Sequence, residues 1–295
     1  MMHFEEYKQI KAMNGSTLVH GRTSMLHLKS AMDSIKEETK EMRFGSGFHS
    51  LLLTPDEFES NYCVVPDFHM DEGNKTQQGK QSTSKGTTYY EQKVKEFAEL
   101  NKGKTFLLRS EYDEALCMIE ALRNKPEVQE IFEAAGDRRE LTLMGEIEGV
   151  PFKGRLDLLT DFEVPDVKTA RSLDYERFGY AARDLGYAMK MACYMELARQ
   201  NFPGDRGACL ILVEKTSPFD VVVDNIPKFY LDKKLEEAKE ILRQYKKCLA
   251  SGVWPGIDGG HGRREMFIPN SEIPDDLDWS VSESPAEAED YEEAF

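Results

Sequence analysis

No run of about 18 apolar residues occurs in this 295-residue sequence, so no membrane-crossing helix is expected. The first residues, Met-Met-His-Phe-Glu-Glu-Tyr-Lys, lack the apolar core of a secretory signal. Cysteine is sparse and scattered: Cys63, Cys117, Cys193, Cys209 and Cys248 form no Cys-x-x-Cys pair. That argues against a disulfide framework or a thiolate zinc site; buried, reduced thiols are expected instead, and with them a cytoplasmic location. No internal repeat is visible. Residues 271–295 contain no Lys or Arg and ten acidic side chains, too polar to build a core, and read as an acidic disordered tail. A net charge of −16 argues at first against a polyanionic partner. Without the tail, however, residues 1–270 carry 44 acidic and 38 basic groups, a net of −6. Basic residues also gather in one stretch: Lys153, Arg155, Lys168, Arg171, Arg177, Arg183 and Lys190. The local field, not the sum, decides where a polyanion docks.

With 40% hydrophobic residues the chain can bury a sizeable core, as one large α/β domain over 1–270. Residues 1–138 read as mainly helical. Helices are expected at Phe4–Met13, Ser16–Ser34, Phe44–Leu53, Thr88–Asn101, Ser110–Asn124 and Pro126–Ala135. Asp67–Thr88 is polar and aperiodic, a loop open either to solvent or to DNA. Residues 139–258 form the expected core. Strands are predicted at Glu140–Ile147, Val150–Thr160 and Glu163–Lys168, then a helix Ser172–Gln200 capped by Ser172. Strands Gly207–Lys215 and Phe219–Asn225 and a helix Leu231–Ser251 follow. The order predicts a mixed central sheet flanked by helices.

The chemistry is concentrated in Gly154-Arg155-Leu156-Asp157 and Asp166-Val167-Lys168, with Asp166 nine residues after Asp157. Around a tight turn at Asp161-Phe162 the two segments are expected to form a hairpin, with both carboxylates near one point. Two carboxylates can share a hard divalent cation such as Mg²⁺. Lys168, two residues after Asp166, falls on the same strand face, where its ammonium can orient a water or offset phosphate charge. Ion, water and lysine together suit phosphodiester cleavage. Asp-x-Lys alone is common as a solvated surface pair; here the apolar neighbours Leu156, Leu158, Leu159, Val164 and Val167 bury it.

These segments resemble the PD-(D/E)XK nuclease superfamily, in particular its RecE-like (exonuclease VIII) and RecB-like branch. Gly45-x-x-x-His49 on an apolar helix resembles the branch's histidine motif, and Ser16-Thr17-Leu18 with the later Ser24-x-x-His27 its helical N-terminal segment. Tyr187–Tyr194 stands where the branch has Gln-x-x-x-Tyr, with Lys190 in place of the glutamine, and Ser251-Gly252-Val253-Trp254-Pro255-Gly256 resembles the end of the domain. The resemblance covers roughly residues 5–258.

It implies a restriction-endonuclease-like core in which Asp157, Asp166, the Val167 carbonyl and His49 hold Mg²⁺, with Mn²⁺ as a possible substitute and two ions in all. Lys168 would orient the attacking water. Glu140 is either a fourth acid or a surface glutamate at a strand end. Arg155, Lys190 and Tyr194 are the candidates for substrate contact, Lys190 keeping a donor and adding a charge suited to phosphate. The implied activity is 5′-to-3′ exonuclease action on linear double-stranded DNA in a bacterial cytoplasm. Its products would feed a single-strand annealing or single-stranded-DNA-binding protein in phage recombination, and the enzyme would be a trimeric or tetrameric ring. A RecB-like nuclease on single strands or flaps, and a non-catalytic recombination mediator, are the alternatives.

Overall fold

The computed structural model describes residues 4–34 and 39–259, and one compact unit ends at Ile257. The acidic segment 271–295, and with it a domain end at 270, lies outside the described residues. In chain order the elements are α1 Phe4–Gln9, β1 Met13–Asn14, α2 Gly15–Leu18, α3 Met25–Asp33, α4 Lys40–Leu53, α5 Pro55–Asn61 and β2 Tyr62–Val65. Next come α6 Thr88–Leu100, β3 Thr105–Leu108, α7 Arg109–Arg123, α8 Pro126–Ala135, β4 Arg139–Ile147, β5 Val150–Leu158 and β6 Glu163–Ala170. The last are α9 Tyr175–Asp184, α10 Tyr187–Asn201, β7 Gly207–Glu214, β8 Val221–Asn225 and α11 Lys228–Ser251. No described helix is long and apolar enough to cross a membrane.

The sheet is mixed, as the element order predicts. One leaf runs β1-β5-β4, with β1 parallel and β4 antiparallel to β5; the other runs β6-β7-β8, with β6 parallel and β8 antiparallel to β7. Strand β7 shows why helices cover both faces. Ala208, Leu210 and Leu212 point into a core shared with Met191, Leu197 and Leu242 of α10 and α11. Cys209, Ile211 and Val213 point the other way, against Phe48, Met118 and Val128 of α4, α7 and α8. Apolar from Ala208 to Val213 without a break, the strand has no face left for water over that stretch. Each fully buried Leu or Ile contributes roughly 1.5–3 kcal/mol, which makes the sheet a rigid frame for whatever its ends carry.

Several expectations need correction. The hairpin predicted across Asp161-Phe162 turns there, but β5 and β6 share no ladder: the Val167 N–H donates to the Asp157 Oδ2 at 2.8 Å instead. A carboxylate placed between the strands takes the bond a ladder would make. The helix predicted at Phe4–Met13 stops at Gln9, and Met13–Asn14 pairs with Phe152–Lys153. Ser16–Ser34 is interrupted because Ser24 caps α3, its Oγ accepting from the His27 N–H at 3.2 Å; Ser24-x-x-His27 is thus a capping motif. The helix Ser172–Gln200 is two helices broken at Gly186 (φ 68°), and Asp174 rather than Ser172 caps the first. The mainly helical N-terminal part also contains the parallel pair β2–β3. The polar loop before α6 is built around buried Asn74, whose amide donates to the carbonyls of His69, Ser82 and Ser84.

Candidate active site

Four elements bring the site together. The antiparallel register of β4 and β5 pairs Arg139 with Leu158 and Leu141 with Leu156, which places Glu140 opposite Asp157. Glu140 achieves this in the left-handed region, at φ 47°, a conformation costly for a residue with a Cβ and found where a site demands it. Helix α4 brings His49, and β6 brings Asp166 and Lys168. His49 Nδ1 lies 3.6 Å from the Asp157 Oδ1 and 3.8 Å from the Glu140 Oε1. One ligand atom from each of His49, Glu140 and Asp157 lies within 4.8 Å of the others. A single imidazole nitrogen among carboxylate oxygens is a donor set that suits Mg²⁺ or, better, Mn²⁺. The residues present therefore fit a divalent ion.

Cations hold the remaining oxygens. Arg155 donates through Nε to the Glu140 Oε2, as a part-buried charge-assisted pair. The Lys168 ammonium pairs with the Asp166 Oδ2, donates to the Val167 carbonyl at 3.0 Å and lies 3.8 Å from the Asp157 Oδ2. Lys190, from α10, donates to the Asp166 Oδ1 at 3.4 Å. Three carboxylates thus face three permanent cations and one titratable imidazole.

The imidazole is charged as well. Burial pulls the His49 pKa down, but the charge of Asp157 and hydrogen bonds to Asp157 and Glu140 outweigh it and raise the pKa to about 9. Burial would push the Asp157 carboxyl up; the charges of His49 and Lys168 hold it far below the usual carboxylate range. Burial likewise disfavours the Lys190 ammonium, and Asp166 and Asp157 reverse this, so its pKa is raised.

The structure gathers the residues of the Gly-Arg-x-Asp, Asp-x-Lys and Gly-x-x-x-His motifs, and Glu140 with them. His49, Glu140, Asp157, Asp166, Val167 and Lys168 meet at one point, with Arg155 and Lys190 at its edge. Tyr194 is 6% exposed and lies beneath, with the Lys190 ammonium 5.1 Å from its ring centroid. The glycine of Gly154-Arg155-Leu156-Asp157 is explained by the same ring: a Cβ on Gly154 would come within 2.8 Å of two Tyr194 ring carbons. Lys153, grouped by sequence with the cleft cations, is instead a buried clamp. Its ammonium donates to the carbonyls of Tyr7 and Ile10 at 2.9 and 2.8 Å and so anchors the end of α1.

Two tyrosines enter that sequence reasoning did not reach. The Lys168 ammonium lies 5.7 Å from the ring centroid of Tyr187, whose pKa burial raises. Tyr187 falls three residues before Lys190, so the helical period of α10 was a usable signal. Half-buried Tyr7 lies near enough to feel the charges of Lys190 and Arg155. Nothing local in the sequence points to it.

No curated protein matches the chain. A crystal structure from Eubacterium rectale, described as a "putative exonuclease", superposes with a TM-score of 0.55 at 14% identity, covering 92% of this chain and 97% of that one. At such identity the likeness establishes the fold. Residues 7–261 match the family described as a PDDEXK-like domain of unknown function (DUF3799), so the chain belongs to that family and to the PD-(D/E)XK superfamily.

Proposed function

We propose that this protein is a divalent-metal-dependent deoxyribonuclease that hydrolyses phosphodiester bonds. The observation carrying this reading is the convergence of Asp157, Asp166 and Lys168 with His49 and Glu140, from two strand ends, a third strand and a helix. His49, Glu140 and Asp157 would hold the ion; Asp166 and the Val167 carbonyl lie on the adjoining strand, where both receive the Lys168 ammonium. Such an ion, when bound, supplies Lewis acidity and a hydroxide at near-neutral pH. The chain's own groups do the rest. Asp157 stays ionised throughout. Arg155 offsets the charge of Glu140 and fixes its orientation. Lys168 has three N–H donors, of which Asp166 and the Val167 carbonyl take two; the third is available to orient a water against a phosphate. Lys190 lies on the same carboxylate and adds positive charge where a phosphate would approach.

The finer reading rests on the order of motifs along the sequence. It is 5′-to-3′ exonuclease action on linear duplex DNA in the cytoplasm of a bacterial host, by a ring of three or four subunits. The overhangs would pass to a single-strand annealing or single-stranded-DNA-binding protein. The Eubacterium rectale protein's description as a putative exonuclease favours an end-dependent activity. A time course on 5′- and 3′-end-labelled linear duplex, beside closed circular duplex, single strands and flaps, tests it. Loss of label from linear duplex only is the expected result. Cleavage confined to single strands or flaps would favour the RecB-like alternative, and no cleavage of any substrate would leave a DNA-binding mediator.

A further inference from the structure

Lys190 stands where the resemblance places a neutral glutamine, and its surroundings show a position built for the lysine. The side chain is largely buried and lies over the Tyr194 ring. Gly15 opens the space beside it: a Cβ there would lie 3.0 Å from the Lys190 Cγ and 3.2 Å from its Cα. The ammonium ends on the Asp166 Oδ1, while Lys168 takes Oδ2 of the same carboxylate. Both oxygens of Asp166 therefore already face a covalently tethered cation. Among the described residues, one cluster offers three convergent ligand residues: His49, Glu140 and Asp157. Lys190 makes its hydrogen bond and ion pair to Asp166 rather than to any member of that cluster, although the charge of Asp157 reaches it. A second divalent ion on the Asp166 Oδ1 would meet the Lys190 ammonium at contact distance, where the two positive charges repel.

We propose that Lys190 is a built-in replacement for a second metal ion. The site takes one divalent ion, at His49, Glu140 and Asp157, and the Lys190 ammonium supplies on Asp166 the positive charge that a second ion would otherwise bring. This rests on the metal-dependent reading above and replaces its two-ion expectation with one ion and one lysine. Asp166 then serves to aim two ammonium groups.

The test is the number of Mn²⁺ ions bound per chain at saturation, read on the full-length protein from loss of the free-ion electron paramagnetic resonance signal. The bound-ion spectrum is read in parallel. Wild type is expected to bind one ion with a mononuclear spectrum. Lys190→Gln and Lys190→Met, both neutral, are expected to bind two, with the exchange-coupled spectrum of ions about 4 Å apart; Lys190→Arg, which keeps the charge, stays at one. Two ions in wild type, or one in both neutral variants, would overturn the proposal and leave the nuclease reading standing. Zero ions in wild type would overturn both.

Discussion

Glu140 and Asp157 face each other across the β4–β5 pair, and Glu140 holds a left-handed φ of 47° to do so. The residues on either side of it, Arg139 and Leu141, keep their ladder partners, so the distortion is confined to the residue of β4 whose carboxylate reaches His49. Strain of this kind, about 1–3 kcal/mol, persists only where the rest of the structure enforces it.

Replacing Glu140 tests that relationship. Both Glu140→Ala and Glu140→Gly remove the carboxylate, but only glycine relieves the backbone. In an ordinary strand glycine is the worse residue by about 0.5–1 kcal/mol. Here Glu140→Gly is expected to be the more stable of the two, by about 1 kcal/mol in denaturant unfolding. Both should lose Mn²⁺ affinity by calorimetry. An alanine variant as stable as the glycine variant would mean that the conformation carries no strain.

The protonation of His49 predicts a pH dependence. Its folded pKa of about 9 lies above the unfolded value near 6.5, so its contribution to stability is full below about pH 6.5 and is lost as pH rises to about 9. The contribution is on the order of a few kcal/mol in metal-free protein, and His49→Gln should flatten this part of the stability–pH curve. The ion must displace this proton, so Mn²⁺ affinity should rise over the same interval. Equal affinity at pH 6.5 and pH 9 would remove His49 from the ligand set.

Lys168→Ala should abolish cleavage while leaving duplex binding in Ca²⁺ near wild type, because the ammonium acts on the water in the transition state. A variant that retains more than a tenth of the rate has lost under ~1.4 kcal/mol, too little for the assigned role.

Lys153→Met should release α1 without touching the metal ligands. Three backbone carbonyls, of Tyr7, Lys8 and Ile10, lose a buried charged donor, an expected cost of about 2–4 kcal/mol. Limited proteolysis should then cut first before residue 12. Protection equal to wild type would show that α1 is held by other contacts.

What the sequence made legible follows from the range of the forces involved. Gly154-Arg155-x-Asp157 and Asp166-x-Lys168 could be read because period two fixes which side chains share a strand face. Of the three cysteines expected to be buried among apolar helical neighbours, Cys193 and Cys248 are, but Cys117 falls on the exposed face of α7, which a list of neighbours cannot distinguish from the buried one. His49 needed the motif resemblance, since an isolated histidine on an apolar helix is otherwise ordinary. Glu140 became intelligible only through strand register, which spacing does not encode. Strands β2 and β3 escaped because four-residue apolar runs between helices carry no distinguishing period. Lys153 was misread because a lysine defaults to solvent, and its partners lie about 145 residues away in the chain. The absent β5–β6 ladder could not be foreseen, because a side chain, Asp157, takes the backbone donor.

The central claim is tested most directly by comparing wild type with Asp157→Asn and Asp166→Asn on end-labelled linear duplex DNA, in Mg²⁺ or Mn²⁺ and in EDTA. The account predicts release of nucleotides by wild type with either ion, none in EDTA, and losses of at least a hundredfold in both variants (about 2.7 kcal/mol of barrier) with folding unchanged. Cleavage that persists in EDTA, or survives in the Asp157→Asn variant, would contradict it.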